Sequence, residues 1–209
     1  MDLINDLKWR YATKKYDTSK KVSSEDISKI KEAINLAPTS YGLQLFKVLD
    51  IQDKATRERL KPASWNQSQI TDASHLFVFC SYTDAGGAEV DAYMQRKAEV
   101  QGLDLKDLKG YGDFVKGALA SRAKEEKQTW MSKQTYIALS NAMTACAALK
   151  IDSTPMEGFD PNAYGEILGL DTKELKASVV LAIGYRSSED ATQHSAKVRK
   201  KEEHLFETV

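Results

Sequence analysis

The stretch "RYATKKYDTSKK" (residues 10–21) combines a guanidinium, several ammonium groups and two tyrosines. A guanidinium can hold a phosphate through two parallel hydrogen bonds, so the stretch could form half of a cradle for an anion. A cationic turn on a protein surface can equally well stay solvated, without any ligand. Taken alone, the stretch leaves both interpretations open. Its cations are Arg10, Lys14, Lys15, Lys20 and Lys21.

Three further stretches offer groups that could bind a planar, charged molecule. "APTSYGLQLF" (37–46) presents hydroxyls, backbone N–H groups and the amide of Gln44 in a turn between a helix and a strand. "STPMEGFDP" (153–161) is predicted to be a loop whose N–H groups could face a heteroaromatic ring. "KVRKK" (197–201) is a second cationic run. Each alone is an ordinary loop or charged tail, but their order and spacing together favour a binding site.

The sequence contains no motif for a nucleophile, a metal site or a nucleotide-binding loop. It lacks GxSxG, and it lacks the glycine-rich GxGxxG and Walker patterns. The scattered His75, His194 and His204 are predicted to be structural or surface residues rather than metal ligands. Cys80 and Cys146 are predicted to be small buried residues without a metal-like spacing. If the protein is an enzyme, a bound cofactor is therefore expected to carry the chemistry.

Composition limits the possible partners. The 209 residues suggest a single domain, 1–209, with an ordinary apolar share of 42%. Lys plus Arg and Asp plus Glu both number 30, and this balance argues against a nucleic-acid partner, which would need an excess of cations. No apolar run approaches the ~20 residues that span a bilayer, so no membrane partner is expected. The start of the chain lacks a signal-peptide pattern, and we expect a cytoplasmic protein.

Hydrophobic periodicity predicts many helices around a few central strands. Near-continuous apolar runs at 74–82 and 177–185 predict strands buried on both faces, and 45–51 predicts a shorter strand. Residues 85–127 are polar and helical, whereas 129–151 is apolar nearly all round and is predicted to be a central helix. Strands separated by helices favour an α+β layered fold. The other predicted helices are 2–10, 23–37, 53–61 with its charges mostly outward, and one capped by Asp160.

Together these patterns resemble the nitroreductase family of FMN-dependent NAD(P)H oxidoreductases, specifically its oxygen-insensitive nitroreductase and flavin reductase branch. "RYATKKYD" is similar to the opening basic signature of the family, and "LAPTSYGLQLF" partly matches one of its flavin loops. The segment "WMSKQTYIALSNAMTACAALKIDSTPMEGFD" (130–160) is the most specific match. "WNQSQITDASHLFVFC", "VVLAIGYRSSED" and "AKVRK" extend the resemblance over essentially the full length.

The resemblance implies an architecture and an assembly. It implies a three-layer α-β-α sandwich that forms an intertwined homodimer, with one FMN at each of two sites in the interface. The C-terminal tail, about residues 187–209, would extend over the partner subunit. Burial there would explain why the apolar "HLFETV" follows a polar stretch, since a free end would expose apolar side chains.

The resemblance also implies roles for individual residues. Arg10, with Lys197 and Arg199, would bind the FMN phosphate. Lys14 would stabilise the negative charge that reduction places at the N1/O2 edge of the flavin. Thr39, Ser40 and Tyr41 would come from the partner subunit, and the N–H groups of Glu157 and Gly158 would face flavin N5. The other implied FMN contacts are Tyr11, Ala12, Pro38, Gln44, Asn66, Gln69, Pro155 and Met156.

The reaction implied by the resemblance is a ping-pong reduction. NAD(P)H would pass a hydride to flavin N5, and a small-molecule acceptor such as a nitroaromatic, a quinone or free flavin would take the electrons. No catalytic side chain is implied in the strict sense, while Tyr41 and Phe114 are predicted to contact the substrate. Ala12, Leu45 and Gln69 depart from the family pattern and keep open a same-fold flavoprotein that NAD(P)H does not drive. A non-enzymatic helical dimer is the second alternative.

Overall fold

The computed structural model describes residues 2–209, in which helices surround a single four-stranded sheet. The strands are β1 (Phe46–Asp50), β2 (His75–Tyr82), β3 (Asp152–Met156) and β4 (Leu175–Gly184). The helices are α1 (Leu3–Trp9), α2 (Ser24–Asn35), α3 (Lys54–Leu60), α4 (Gln69–Asp72), α5 (Gly87–Gln101), α6 (Leu105–Ala120), α7 (Lys124–Ala148) and α8 (Pro161–Leu168). The three strands predicted from apolar runs are confirmed within two residues at each end.

The sheet has the order β1-β2-β4-β3, and every neighbouring pair is antiparallel. Its central strands β2 and β4 are buried on both faces, which explains why their sequences are apolar without alternation. One face packs against α3, α4 and α8, and the other packs against α2 and α7. The molecule therefore has three layers, α-β-α, as expected for the predicted α+β fold.

Helices α5 and α6 form a hairpin with a small apolar core of its own. Gly102 ends α5 in the left-handed region at φ 66°, a backbone conformation that glycine adopts at little cost. Tyr41 and Trp130 pack against this small core and connect the hairpin to the rest of the protein. This separate packing explains why the region lacks a strong hydrophobic pattern: only one side of each helix is buried.

The prediction of a loop over 153–161 is wrong for its first half. Residues Asp152–Met156 form β3, which pairs with β4 at the edge of the sheet. Proline is typical of loops, but it is tolerated in an edge strand such as β3, where one side of the backbone needs no partner. Only the residues after Met156 form the predicted loop, and it ends where Asp160 caps α8 as expected.

The two cysteines are buried and unpaired, as predicted. Burial raises the pKa of both Cys80 and Cys146 to about 12, so neither thiol is a nucleophile at neutral pH. No helix within residues 2–209 has the length and apolarity needed to cross a membrane.

The charges of 53–61 are mostly outward, as predicted, with one exception. Arg57 is only 5% exposed, and its guanidinium donates hydrogen bonds to three backbone carbonyls. These acceptors are the carbonyls of Ile51 at 2.7 Å, Ala73 at 2.6 Å and Ser74 at 3.1 Å. Arg57 thereby ties the end of β1 to the turn before β2.

We expect Arg57→Met to lower the free energy of unfolding by about 3 kcal/mol, because it leaves buried carbonyls without a donor. The neighbouring Arg59 is exposed, so Arg59→Met is the matched control and should stay within about 0.5 kcal/mol of the parent. Urea unfolding of the three proteins measures both changes. Equal effects of the two substitutions would show that the carbonyl contacts of Arg57 contribute nothing.

Candidate functional site

The N-terminal segment, residues 10–16, lies along the end of the sheet beside β3. Ala12 forms a parallel bridge with Ser153, and Tyr16 forms an antiparallel bridge with Arg186. Tyr16 is 5% exposed, and its hydroxyl donates to the carbonyl of Ala182 at 2.9 Å. The segment is therefore held by backbone pairing and a buried tyrosine.

Three cations, Arg10, Lys197 and Arg199, form what we call the cationic group. Burial lowers the pKa of Arg10, and the charge of Arg199 lowers it further. Lys197 and Arg199 are exposed, but partial loss of hydration, and then the charges of Arg10 and Arg199, lower the pKa of Lys197. None of the three has a carboxylate within ion-pair distance among residues 2–209. Like charges collected without a counter-ion are suited to receive an anion.

Among residues 2–209, three buried polar atoms of this region have no hydrogen-bond partner. They are Nε of Arg10, the hydroxyl oxygen of Ser153 and Nη2 of Arg186, and the last of these still lies within ion-pair distance of Asp152. Ser153 is 1% exposed and lies next to Ala12 through the backbone bridge. Because buried polar groups are nearly always paired in folded proteins, Arg10 Nε and the Ser153 hydroxyl are suited to a polar ligand.

Arg186 is a fourth cation of the region, but it is already neutralised. Its guanidinium contacts the buried carboxylate of Asp152 through Nη2 at 2.6 Å and Nε at 2.8 Å. Its central carbon also lies 4.3 Å from the ring centroid of Trp9 and 4.6 Å from that of Tyr11. Arg186 therefore fixes the two aromatic residues that flank Arg10.

The remaining cations of the opening stretch are exposed. Lys15 pairs with Glu189 at 3.6 Å and Lys20 with Asp17 at 3.2 Å, while Lys21 points to solvent. Exposed pairs of this kind contribute little. The side chain of Lys14 is also exposed, but its backbone N–H donates to the buried Asp190 at 2.7 Å.

The loop after β3 packs tightly against the turn that contains Asn66. Gln67 donates from its side-chain amide to the carbonyl of Gly158 at 2.9 Å. Trp65 and Asn66 both have left-handed backbones, at φ 55° and 57°. A Cβ placed on Gly158 would lie 2.6 Å from the ring of Trp65, so only glycine fits without a shift. Trp65 is 72% exposed beside this loop and was missed by the sequence analysis.

Glu157 is held from the opposite side by α7. The hydroxyl of Tyr136 donates to its carboxylate at 2.5 Å. Burial, and then the neighbouring Glu157 carboxylate, raise the pKa of Tyr136 to about 12.

Two other implied FMN contacts are largely buried: Met156 packs in the core, and Gln69 is 6% exposed at the start of α4.

The stretch from Pro38 to Gln44 forms a second group of predicted site residues. Its hydrogen bonds go to α7 and to the end of α2 rather than to the residues around Arg10. The backbone N–H of Ser40 donates to Gln134 at 2.9 Å, while the hydroxyl of Thr39 accepts from the N–H of Gln44 at 3.2 Å. The amide of Gln44 donates to the carbonyl of Asn35 at 2.8 Å. The turn is tight, with φ values of 59° at Tyr41 and 77° at Gly42.

Aromatic rings extend this second group toward the α5–α6 hairpin. The ring of Tyr41 meets the ring of Phe114 edge-on, with 6.4 Å between the ring centroids. Its centroid lies 6.1 Å from that of Trp130. Phe114 is 61% exposed. Within residues 2–209, no hydrogen bond joins this second group to the residues around Arg10 and Gly158.

Comparison with known proteins gives the family of the chain. The nitroreductase family model matches residues 7–185. The chain belongs to the nitroreductase family. A relative from Staphylococcus epidermidis, provisionally named an NAD(P)H nitroreductase, is 36% identical over 216 residues, covering 99% of this chain and 96% of the relative. One from Staphylococcus aureus, with the same provisional name, is 38% identical over 210 residues, covering 96% and 92%.

Solved structures show the nitroreductase fold. A Bacillus subtilis protein provisionally described as a nitroreductase has a TM-score of 0.89 at 19% identity, covering 99% of this chain and 98% of its own. A protein from Exiguobacterium sibiricum, provisionally described as a nitroreductase in complex with FMN, has a TM-score of 0.85 at 20% identity, covering 100% and 98%. The predictions of the family, of its α+β fold and of an oxidoreductase enzyme are thereby confirmed.

Proposed function

We propose that this protein is an FMN-dependent NAD(P)H oxidoreductase that reduces nitroaromatics, quinones or flavins. The observation that carries the proposal is the cationic group: the positive charges of Arg199 and Arg10 lower the pKa of their neighbours in this group, none of the three forms an ion pair among residues 2–209, and Arg10 Nε is buried there without a hydrogen-bond partner. A dianionic phosphate satisfies both features. The relatives named NAD(P)H nitroreductases and the FMN complex of the Exiguobacterium protein support the same cofactor and donor.

The residues present fit FMN along its length. The cationic group would hold the phosphate, and the Ser153 hydroxyl is an additional buried polar atom without a partner. The loop at Glu157 and Gly158 would support the flavin ring through backbone N–H groups, which Tyr136 and Gln67 keep in place. Lys14, exposed at the same segment, would place a positive charge near the ring.

When bound, FMN would supply two-electron chemistry, accepting a hydride at N5 from NAD(P)H and releasing the electrons to the acceptor in a ping-pong sequence. The chain itself would bind and orient the reactants. The exposed Trp65 and Phe114 offer apolar surfaces against which a planar substrate could stack. Protons for the acceptor can come from water, so no side chain needs to act as acid or base.

We further propose that two copies of the chain complete each site. The group around Tyr41 and the group around Arg10 share no hydrogen bond in one chain, and a second copy would bring them together. Apolar side chains of α1 and of the tail lie open, with Ile4 59%, Leu205 63% and Phe206 69% exposed. Such surfaces are typical of an interface.

Two unpaired thiols suit a reducing compartment, and we place the reaction in the cytoplasm.

The second candidate is a flavoprotein of the same fold that NAD(P)H does not reduce. Its support is the set of departures from the family pattern: Ala12 lacks a hydroxyl, and Gln69 replaces a cation and is itself nearly buried. One fewer positive charge near the ring would make reduction less favourable.

Anaerobic half-reactions separate the two candidates. The full-length protein loaded with FMN is mixed with NADH or NADPH, and the flavin absorbance is followed. We expect the flavin band to disappear, and to return when a nitroaromatic or a quinone is added after the nicotinamide is removed. A protein that keeps its flavin band at every nicotinamide concentration would instead be the second candidate. The faster of the two nicotinamides identifies the preferred donor.

A further inference from the structure

Asp190 is a buried carboxylate that accepts four hydrogen bonds. It is 2% exposed. One of its oxygens accepts from the Lys14 backbone N–H at 2.7 Å, the Tyr11 hydroxyl at 2.9 Å and the Lys15 backbone N–H at 3.2 Å. The other oxygen accepts from the Thr192 backbone N–H at 3.0 Å. Burial alone would raise the pKa of Asp190, but hydrogen bonds from Lys14, Lys15 and Tyr11 hold it below its ordinary value.

These bonds join two parts of the chain that lie far apart in sequence. Three of the donors belong to the N-terminal segment, which carries Arg10. Asp190 itself lies in the tail and caps a short 3-10 turn, Ala191–His194, shortly before Lys197 and Arg199. Asp190 is thus the buried carboxylate that connects the two segments whose cations would bind one anion. The backbone N–H of Ser187, which donates to the Lys15 carbonyl at 2.9 Å, and the exposed pair of Lys15 with Glu189 also join these segments.

The charge of Asp190 cannot be explained as a counter-ion for the cationic group. Within residues 2–209, no ion pair links it to Arg10, Lys197 or Arg199, and its oxygens are engaged by backbone groups and a hydroxyl. By Coulomb's law a carboxylate near an anion site weakens anion binding. If Asp190 acted only through its charge, removal of that charge would tighten phosphate binding. If its hydrogen bonds position the cations, the same removal would weaken phosphate binding.

We infer that Asp190 is a positioning residue for phosphate recognition, holding the N-terminal segment and the tail at the spacing that lets Arg10, Lys197 and Arg199 bind one phosphate group together. Neither the family assignment nor the relatives assign this role. The inference rests on the proposed function, because it assumes that the phosphate is that of FMN.

The test compares FMN with riboflavin, which has the same ring and lacks the phosphate. Dissociation constants of both are measured by flavin fluorescence for the flavin-free full-length protein, Asp190→Ala and Asp190→Asn. The readout is the ratio of the riboflavin constant to the FMN constant, because a general loss of structure weakens both ligands and leaves this ratio unchanged. We expect each substitution to lower the ratio about tenfold or more, as expected when charge-assisted hydrogen bonds are lost.

Two further variants complete the design. Asp53→Asn is the matched control: Asp53 also accepts a backbone N–H, that of Thr56 at 2.7 Å, but it is exposed and caps α3. Its ratio should equal that of the parent. If the Asp190 variants do not fold, Tyr11→Phe removes one of the three donors to the same oxygen and should lower the ratio by a smaller factor, about threefold.

The outcomes separate this inference from the proposed function. A parent protein that binds riboflavin as tightly as FMN would overturn the phosphate site itself. A parent that prefers FMN, combined with Asp190 variants of unchanged or higher ratio, would overturn only the positioning role. A lowered ratio in the Asp190 variants, with an unchanged ratio in Asp53→Asn, would support it.

Discussion

Replacing Arg10 with alanine is expected to weaken FMN binding about 10- to 100-fold, the effect of losing charged hydrogen bonds to a phosphate. The half-buried guanidinium of Arg10 has a side-chain nitrogen, Nε, without a partner, so it is already in place for an anion. Arg10→Lys keeps the charge but loses the two-point contact, and it should fall between the parent and alanine. Titration of flavin-free protein with FMN measures all three constants.

Lys21 provides the control for Arg10. It belongs to the same cationic stretch but is exposed and forms no ion pair with any of residues 2–209, so Lys21→Ala should leave the FMN dissociation constant unchanged. Equal losses in the Arg10 and Lys21 variants would mean that the stretch attracts FMN only through its general positive charge. The cradle would then be a solvated cationic turn.

Gly158→Ala is expected to destabilise the protein by about 1–3 kcal/mol and to weaken FMN binding. The added methyl group would lie 2.6 Å from the ring of Trp65 and 3.0 Å from Nε2 of Gln67, so either the ring or the loop must move. Because the loop is the proposed support of the flavin ring, its displacement affects the cofactor as well as stability. Urea unfolding and FMN titration measure the two effects.

The Trp65→Ala/Gly158→Ala double variant tests the cause of that effect. Removal of the ring gives the methyl group space, so the double variant should recover part of the loss, with a coupling energy of about 0.5–3 kcal/mol. Gly110 is the control glycine: it is exposed on α6 with nothing within 4 Å of an added Cβ. Gly110→Ala should therefore stabilise the protein by about 0.5–1 kcal/mol. Additive effects of the Trp65 and Gly158 changes would exclude the proposed contact.

The strands and the central helices could be predicted because burial leaves a direct trace in the sequence. Strands β2 and β4 have water on neither face and are almost entirely apolar, whereas α7 buries one side, with Ala138, Ala142 and Cys146, against the sheet. The edge strand β3 carries no such trace. Its Pro155 is tolerated because β3 is an edge strand whose outer side carries only an isolated bridge at Ser153, and the position of a strand within a sheet depends on the whole fold.

The cations of the proposed phosphate site could be named from the sequence. Arg10, Lys197 and Arg199 stand in short cationic runs, and their binding of one phosphate stays a prediction. Asp190 and Arg57 could not be found in this way. Asp190 accepts a hydrogen bond from the backbone N–H of Lys14, which lies 176 positions earlier. Arg57 is buried because its guanidinium donates to three carbonyls that only the tertiary fold brings together. A charged side chain in a polar sequence gives no sign that it will be buried.

Trp65 and Tyr136 were missed for a different reason. Each stands within a stretch that resembles the family, but the polar residues of those stretches, Asn66 and Glu157, are the more visible candidates for a flavin contact. An aromatic residue beside a predicted loop is itself a signal for ring contacts. The structure places Trp65 against Gly158, and it places the Tyr136 hydroxyl on the Glu157 carboxylate.

The visible absorption spectrum of the purified full-length protein, before and after addition of FMN, tests the central claim most directly. We predict a yellow protein that saturates at one FMN per chain, and an Arg10→Ala variant that loses the colour on gel filtration. A colourless protein that does not take up added FMN, although it is folded, would contradict the claim. The cationic group would then be a surface feature without a phosphate ligand.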